Sequence, residues 1–182
     1  MRVPKIYLAL SLSVALASPV VAASNTFDGT WWLKSSEDER SGFLSGLHDC
    51  LTYGPQSKGS FPDVWQNYPK RVTSYYVDGD KSKSVMSVFE GFAAPHRRKS
   101  RASENPYGDV FWRSHRDAAR SGFVEGFINC KSATRSNIHW SKPTSYYLNR
   151  LNQLYNADDR LGENAKEYAG SIDSAMEQNA DK

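Results

Sequence analysis

His48, Asp49 and Cys50 are the adjacent residues of this chain that could do nucleophilic chemistry. In such a site a histidine takes the proton of a cysteine thiol, and an acid orients the histidine. Successive residues of a helix point in different directions, however, so these three side chains cannot form a relay among themselves. A second, similar segment has Ile128 where the first has His48, which suits a buried position. We therefore predict a structural role for His48.

Other motifs of catalysis or cofactor binding do not occur in the sequence. It contains no metal-ligand spacing such as His-Glu-x-x-His or Cys-x-x-Cys, no phosphate loop, no dinucleotide fingerprint and no Gly-x-Ser-x-Gly turn. Carboxylates pair at Glu37 with Glu39 and at Asp158 with Asp159, where helix capping explains them. We predict no metal site, no cofactor and no catalytic residue, which leaves an enzyme without support.

The two cysteines, Cys50 and Cys130, occupy matching positions of a doubled segment. Residues 40–50 and 120–130 share Arg, Ser, Gly, Phe, Gly and Cys at an offset of 80 positions. Equivalent atoms lie close together only near a pseudo-twofold axis, so a disulfide between the cysteines would pin that axis. Closing a loop of this length would stabilise the fold by ~4.5 kcal/mol on chain-entropy grounds. The alternative is two buried free thiols that act as small apolar side chains.

Two arginines open the doubled segment, Arg40 in the first copy and Arg120 in the second. Each either makes an ion pair or a hydrogen bond to a neighbouring carbonyl, which is a structural role, or faces a carboxylate of a binding partner. Arginine suits the second role because its planar guanidinium binds a carboxylate through two parallel hydrogen bonds. The sequence leaves both interpretations open.

Aromatic pairs precede both copies of the segment, at 31–32 and at 111–112. One ring of each pair is expected to pack on the start of the following helix, and its neighbour must then point elsewhere. Trp and Tyr are frequent anchors of protein interfaces. We predict that a protein-binding surface is built from outward-facing rings and the two arginines, with these candidates: Trp31, Trp32, Phe111, Trp112, Tyr75, Tyr146, Arg40 and Arg120.

The doubled segment has the pattern of a helix. Residues 36–39 form a capping box, and apolar residues then recur at helical spacing up to Cys50. The second copy opens similarly at 114–117 and reaches Cys130. Each copy contains Gly-x-x-x-Gly, so either the two helices cross at their glycines or each glycine pair makes room for a ring of its own unit.

Two further helices are expected in each unit. Thr73 and Thr144 begin a repeated Thr-Ser-Tyr-Tyr at an offset of 71 positions and are expected to be N-caps. A third helix follows at 84–92 in the first unit and at 159–178 in the second, each with one apolar face. The sequence thus predicts an all-α protein of two pseudo-symmetric three-helix repeats packed together after a signal peptide.

The expected signal peptide covers residues 1–23. Arg2 and Lys5 precede an apolar run, and small residues follow at the cleavage site. Its removal lowers the formal charge from +3 to +1, and no later stretch approaches the ~20 apolar residues of a membrane span. We expect a periplasmic or secreted protein with no stable membrane span and no affinity for nucleic acid.

The domain boundaries follow from these patterns. The signal peptide is followed by helical unit 24–93, a basic linker 94–107 and helical unit 108–182. The linker has flanking prolines and clustered basic residues, so it either attracts an anionic surface or merely connects the units.

The combination of aromatic-Trp, Arg-x-Gly-Phe-x-x-Gly-x-x-x-Cys and Thr-x-Tyr-Tyr resembles short helical repeats of exported bacterial proteins. Over residues 30–52 and 109–131 it is also similar to the small periplasmic immunity proteins that neutralise type VI secretion amidase effectors. Those proteins are helical, carry cysteines and bind another protein without catalysis, whereas the tandem copies and the basic linker are additional here. The resemblance implies a binding protein and assigns no role to individual residues.

We expect an exported, non-catalytic binding protein that acts on a protein partner as an inhibitor or immunity factor. A small hydrolase of cell-wall or surface polymer is the alternative, and it would need a cleft with paired carboxylates or a perturbed histidine. A structural module of the envelope is the second alternative and would show neither feature. The sequence does not decide the oligomeric state.

Overall fold

The computed structural model describes residues 27–53, 60–94, 106–135 and 140–155, together with Met176. Within these residues the protein is all-α, as predicted, with two isolated β-bridges and no strand. The helices are α1 (Gly29–Lys34), α2 (Glu37–Tyr53), α3 (Asn67–Asp78), α4 (Val85–Glu90), α5 (Asp109–Ser114), α6 (Asp117–Thr134) and α7 (Thr144–Tyr155). The expected signal peptide, most of the expected linker and, apart from Met176, the expected helix over 159–178 lie outside the described residues.

α2 begins with the capping box that the sequence predicts. The amide of Glu39 donates to Ser36 Oγ at 3.2 Å, and the amide of Ser36 donates to Glu39 Oε2 at 3.1 Å. α6 begins differently, because its N-cap is Arg116 and Ser114 belongs to the end of α5. The second capping box was therefore wrong: Arg116 stands in the place of Ser36 and has no side-chain oxygen to accept from the first amides.

α2 and α6 cross with their backbones in contact. Each glycine of the two Gly-x-x-x-Gly pairs faces the opposite helix, and a Cβ atom added there would come closer than 3.0 Å to its backbone. The contacts are Gly42 with Ala119, Gly46 with Phe123 and Phe127, Gly122 with Glu39, and Gly126 with Phe43. Of the two arrangements that the sequence left open, the crossing is the one adopted.

A disulfide between Cys50 and Cys130 lies one helical turn beyond this crossing. The two Cα atoms are 6.2 Å apart, and both side chains are buried. The predicted bridge is thus present, and the alternative of two free thiols is excluded. Close backbone contact and a covalent bond together hold α2 against α6.

One apolar cluster surrounds the crossing helices. It includes completely buried rings from both halves of the described chain, among them Trp32, Phe43, Tyr76, Trp112 and Phe123. Met176 is 1% exposed and belongs to the same cluster. No helix of the described residues combines the length and the apolar character needed to cross a bilayer.

α3 begins before the residue that was expected to cap it. The helix starts at Asn67, whereas Thr73 lies inside it and donates from its hydroxyl to the carbonyl of Pro69 at 2.8 Å. Thr73 is therefore not an N-cap. In the second half, Thr144 is the first residue inside α7, so its role as an N-cap stays a prediction. The two Thr-Ser-Tyr-Tyr motifs consequently lie on different turns of their helices.

The buried faces of α3 and α7 correspond at an offset of 79 positions rather than 71. Their buried residues are Tyr68, Val72 and Tyr76 in α3, and Tyr147, Leu151 and Tyr155 in α7. The first tyrosine of each set also accepts a backbone hydrogen bond at an equivalent place. Tyr68 Oη accepts from Asp63 at 2.8 Å, and Tyr147 Oη accepts from Lys142 at 3.3 Å. The match of Thr73 with Thr144 therefore does not reflect equivalent positions.

Candidate functional site

Trp32 and Trp112 are completely buried, so neither is available as an anchor on the surface. Each indole donates from Nε1 to a residue of the neighbouring helix: Trp32 to Thr73 Oγ1 and Trp112 to Asn152 Oδ1, both at 2.9 Å. An indole ring is stable in the interior when its N–H group is hydrogen-bonded in this way. This corrects the prediction for these two tryptophans.

The other ring of each aromatic pair is partly buried. Trp31 packs on Phe43 with ring centroids 4.7 Å apart, and Phe111 packs on Phe123 at 5.2 Å. Both pairs therefore lie mainly on the core, because each ring meets the phenylalanine of the doubled segment. They do not project from the surface as a free aromatic pair would.

The two tyrosine candidates lie on separate helices. Tyr146 on α7 is 41% exposed, whereas Tyr75 on α3 is partly buried beneath the ammonium group of Lys83, 5.6 Å from the ring centre. Each ring stands edge-on to the buried tyrosine that follows it. Among the aromatic candidates, Tyr146 has the largest accessible face.

His48 lies among aromatic rings rather than in a reactive site. The rings of Tyr53, Phe61, Trp65 and Tyr107 have centroids between 5.2 and 5.9 Å from the imidazole. Burial lowers the pKa of His48 to about 4, so the ring is neutral at ordinary pH. Since the Cys50 sulfur is consumed in the disulfide, the sequence His48-Asp49-Cys50 contains no free thiol to activate.

Glu125 on α6 is another titratable group with a perturbed environment. Burial, with a smaller contribution from the charge of Glu39, raises the pKa of Glu125 to about 7. The His48 shift has burial as its cause, with no contribution from a carboxylate, so the two groups do not act as a pair. Nowhere in the described residues do three or more His, Cys, Asp or Glu side chains gather in a way that could hold a metal ion.

Arg120 is fully engaged inside the protein. Its side chain is 12% exposed, and Nε donates to the carbonyl of Trp112 at 2.8 Å. Nη1 lies 3.3 Å from Asn152 Oδ1 and 3.4 Å from Asp117 Oδ1. The guanidinium also stands 5.7 Å from the centre of the Trp112 ring. Of the two interpretations that the sequence left open, Arg120 has the structural one.

Arg40 has the same position in the first half but not the same partners. Its guanidinium stands 5.6 Å from the centre of the Trp32 ring, and Nε donates to the carbonyl of Ser36 at 3.4 Å. Throughout the described part of the chain, no residue accepts a hydrogen bond from the Nη atoms of Arg40. The side that holds Asn152 and Asp117 in the second half is therefore open here.

This opening is a groove between the first turn of α2 and the middle of α3, which we call the Arg40 groove. It has a volume of about 370 Å³ and is lined by Glu37, Arg40, Pro69, Lys70, Thr73 and Ser74. Two cationic side chains and one carboxylate thus surround it, with two hydroxyl groups on the α3 wall. The groove can accept an anionic group without taking that group out of contact with water.

A single size difference accounts for the groove. Thr73 and Asn152 occupy equivalent places, because each accepts the hydrogen bond from the tryptophan indole. The amide of Asn152 is long enough to meet Arg120 as well. The side chain of Thr73 is shorter than that of Asn152. Its hydroxyl group already accepts a hydrogen bond from Trp32 and donates one to the carbonyl of Pro69.

Sequence reasoning identified Arg40 as a binding candidate and missed the other groove residues, among them Lys70, Thr73 and Ser74. It aligned Thr73 with Thr144 on the strength of four identical letters. The buried tyrosines, which are known only from the structure, align Thr73 with Asn152 instead and show the loss of an acceptor beside Arg40.

Comparison with known proteins assigns no family to the chain. No family model, no curated protein and no solved structure matches it. The resemblance to immunity proteins stays a prediction, and the role of the protein has to be argued from the geometry of its described residues.

Proposed function

We propose that this is an exported, non-catalytic binding protein that acts on a protein partner through the Arg40 groove. The observation that carries the proposal is the difference between two equivalent arginines. Arg120 meets Asn152 and Asp117, whereas the Nη atoms of Arg40 have no acceptor among the described residues. An arginine held by stacking on a buried ring, with its hydrogen-bonding edge open, is a common anchor of protein interfaces.

Two features support the exported location. The N-terminal residues 1–23 have the composition of a signal peptide. The disulfide between Cys50 and Cys130 belongs to an oxidising compartment such as the bacterial periplasm. In this setting the protein acts as an inhibitor or immunity factor that occupies a surface of its partner.

The proposal includes two pseudo-symmetric helical units with different tasks. Reciprocal glycine contacts support the symmetry, since Gly42 meets Ala119 and Gly122 meets Glu39 at the same offset of 80 positions. The second unit closes its arginine site with its own side chains. The first unit keeps the corresponding site for a partner.

The hydrolase alternative receives less support from the geometry. Its expected signs are a perturbed histidine and paired carboxylates, and His48 and Glu125 do have shifted pKa values. His48, however, is packed against aromatic rings, and burial alone explains its shift. Neither residue lines the Arg40 groove.

A capture experiment tests the proposal. The disulfide-bonded protein is cross-linked in native periplasm, and its partner is identified by mass spectrometry for the wild type, for Arg40→Gln and for a control. Lys142→Gln is the control, because it removes one exposed positive charge from the second half. We expect the same partner with the wild type and the control, and loss of that partner with Arg40→Gln. Equal capture by all three proteins would overturn the assignment of the groove.

A further inference from the structure

We infer that the Arg40 groove recognises a carboxylate, supplied by an aspartate or glutamate side chain of the partner. The inference rests on the proposed function and names the chemistry that the groove selects. It comes from the second half of the protein, where the equivalent site is occupied by groups of the chain itself.

The open site lacks one of the two acceptors of the closed site, because Glu37 stands at the position of Asp117 whereas Thr73 replaces Asn152. Arg120 Nη1 is within 3.4 Å of the Asp117 carboxylate and 3.3 Å of the Asn152 amide oxygen. Both acceptors are planar oxygen groups, and carboxylates are the anions that match the guanidinium fork. The amide oxygen of Asn152 thus stands where an oxygen of a ligand would stand beside Arg40.

The two arginines are held alike by their tryptophans. Arg40 and Arg120 stand 5.6 and 5.7 Å from the centres of their rings, Trp32 and Trp112. Stacking on a buried indole restricts the guanidinium before any ligand arrives, which reduces the entropy lost on binding. Arg40 is therefore placed for the acceptor that Arg120 already has.

The charges around the groove favour a single carboxylate over a phosphate group. Lys70 adds a second positive charge to Arg40, where the second half has the neutral Asn149 at the same offset of 79 positions. Glu37 also lines the groove and repels negative charge. Arg40, Lys70 and Glu37 together carry a net charge of +1, which one carboxylate neutralises, whereas a phosphate dianion would leave an excess of negative charge beside Glu37.

The volume of the groove is compatible with this occupant. About 370 Å³ lies in the lower part of the ~300–1,000 Å³ range of small-molecule sites. The space admits one acidic side chain together with part of its backbone. Ser74 on the α3 wall adds a hydroxyl group beside the cations.

Peptide binding followed by nuclear magnetic resonance tests the inference. The probes are a blocked pentapeptide with one central glutamate, its glutamine counterpart and inorganic phosphate. The reporter is the indole N–H resonance of Trp32, which donates to the groove residue Thr73. The indole of Trp112 is the internal control, since it donates to Asn152 in the closed site. We expect the glutamate peptide to shift the Trp32 resonance and leave that of Trp112 unchanged.

Three variants distinguish the effect of the positive charges of the groove on peptide binding from the effect of its shape. Arg40→Gln should weaken binding of the glutamate peptide by about tenfold or more, and Lys70→Gln by about two- to fivefold. Thr73→Asn introduces the acceptor of the second half and should close the groove while both positive charges remain. We therefore expect Thr73→Asn to weaken binding of the glutamate peptide as strongly as Arg40→Gln does. Lys142→Gln should bind the peptide as the wild type does, and circular dichroism should show that all variants are folded.

The outcomes distinguish this inference from the proposed function. Equal shifts from the glutamine peptide, or a stronger response to phosphate, would overturn the selection of a carboxylate. No response of Trp32 to the glutamate peptide would also overturn it, even if capture of a protein partner still depended on Arg40. Partner capture that is insensitive to Arg40→Gln would instead reject the proposed function.

Discussion

Tyr107 Oη lies 2.8 Å from His48 Nδ1 and ties the residues ahead of α5 to the middle of α2. The imidazole is surrounded by rings, and burial lowers its pKa to about 4. The folded state therefore favours the neutral form of His48. A single side chain thus connects the packing of this aromatic cluster with the acid stability of the protein.

We predict that His48 makes the fold sensitive to acid. The unfolded chain takes up a proton near pH 6.5, whereas the folded chain takes it up only near pH 4. The free energy of unfolding should fall by about 3 kcal/mol as the pH decreases through this window. Urea unfolding at pH 7 and at pH 4.5 measures this change in the free energy of unfolding. His48→Ile introduces the residue that the second copy has at this position, Ile128, and should remove the part of the pH dependence that comes from His48. A pH dependence equal to that of the wild type would contradict the prediction.

Glu125 should have the opposite effect at higher pH. Its folded pKa is raised from 4.5 to about 7, so the folded state holds a proton that the unfolded chain has already released. The resulting stabilisation is present below pH 4.5 and is lost as the pH rises through 7. Because solvent screens a half-buried group, we expect at most about 1 kcal/mol.

Glu125→Gln should remove this loss between pH 5 and pH 8, as measured by thermal unfolding. Glu39→Gln should reduce this loss of stability by a smaller amount, since the charge of Glu39 contributes less than burial to the raised pKa of Glu125. Glutamine also preserves the capping box at the start of α2. Because His48 also changes the stability over this range, the comparison is between proteins: the same change in stability from pH 5 to pH 8 in the wild type and in Glu125→Gln would count against the assignment.

The helix crossing should not tolerate a methyl group. In an exposed helix interior, Gly→Ala normally stabilises by about 1 kcal/mol. At Gly46 the added Cβ would meet the backbone of Phe123 and Phe127, so we expect Gly46→Ala to destabilise by about 3 kcal/mol or more.

Gly108→Ala is the matched control, because nothing lies within 4 Å of a Cβ at that position and the backbone has φ −141°. Its free energy of unfolding should change by less than about 0.5 kcal/mol. Urea unfolding of Gly46→Ala, Gly108→Ala and the wild type measures the two changes in the free energy of unfolding. Equal effects would mean that the glycines are not required for the crossing.

Removal of the disulfide should cost stability without changing the helices. Replacement of both Cys50 and Cys130 by alanine is expected to lower the free energy of unfolding by about 2–4 kcal/mol. Circular dichroism should retain the helical signal, because the backbone contacts at the glycines remain. Alkylation of the unreduced wild type, followed by mass spectrometry, should find no free thiol, and two alkylated cysteines would refute the bridge.

Local signals predicted the parts of the fold that depend on local physics. Ser36 and Glu39 form a capping box with each other, and the glycines and Cys50 lie on one face of α2, so their roles follow from short spacings. The burial of Trp32 could not be predicted in this way. It depends on the acceptor at Thr73, which lies 41 positions away in the sequence.

The Arg40 groove was predicted only in part. Arg40 was identified as a residue that could face a carboxylate, but the letters Thr-Ser-Tyr-Tyr suggested the wrong register for α3 and α7. Register is set by which tyrosines are buried, and burial depends on tertiary packing rather than on identical tetrapeptides. The missing acceptor beside Arg40 therefore became visible only from contacts.

The reciprocal glycine faces of α2 and α6 have a consequence for folding of the newly synthesised chain. The glycine face of α2 packs against the glycine face of α6. Because the two segments are similar in sequence, α2 of one chain is also a suitable partner for α6 or α2 of another chain. At high local concentration, exchange between chains thus competes with closure within one chain. The bond between Cys50 and Cys130 joins residues 80 positions apart and locks the correct pairing after it forms. Oxidation therefore makes the pairing of α2 with α6 within one chain permanent, in addition to stabilising the fold.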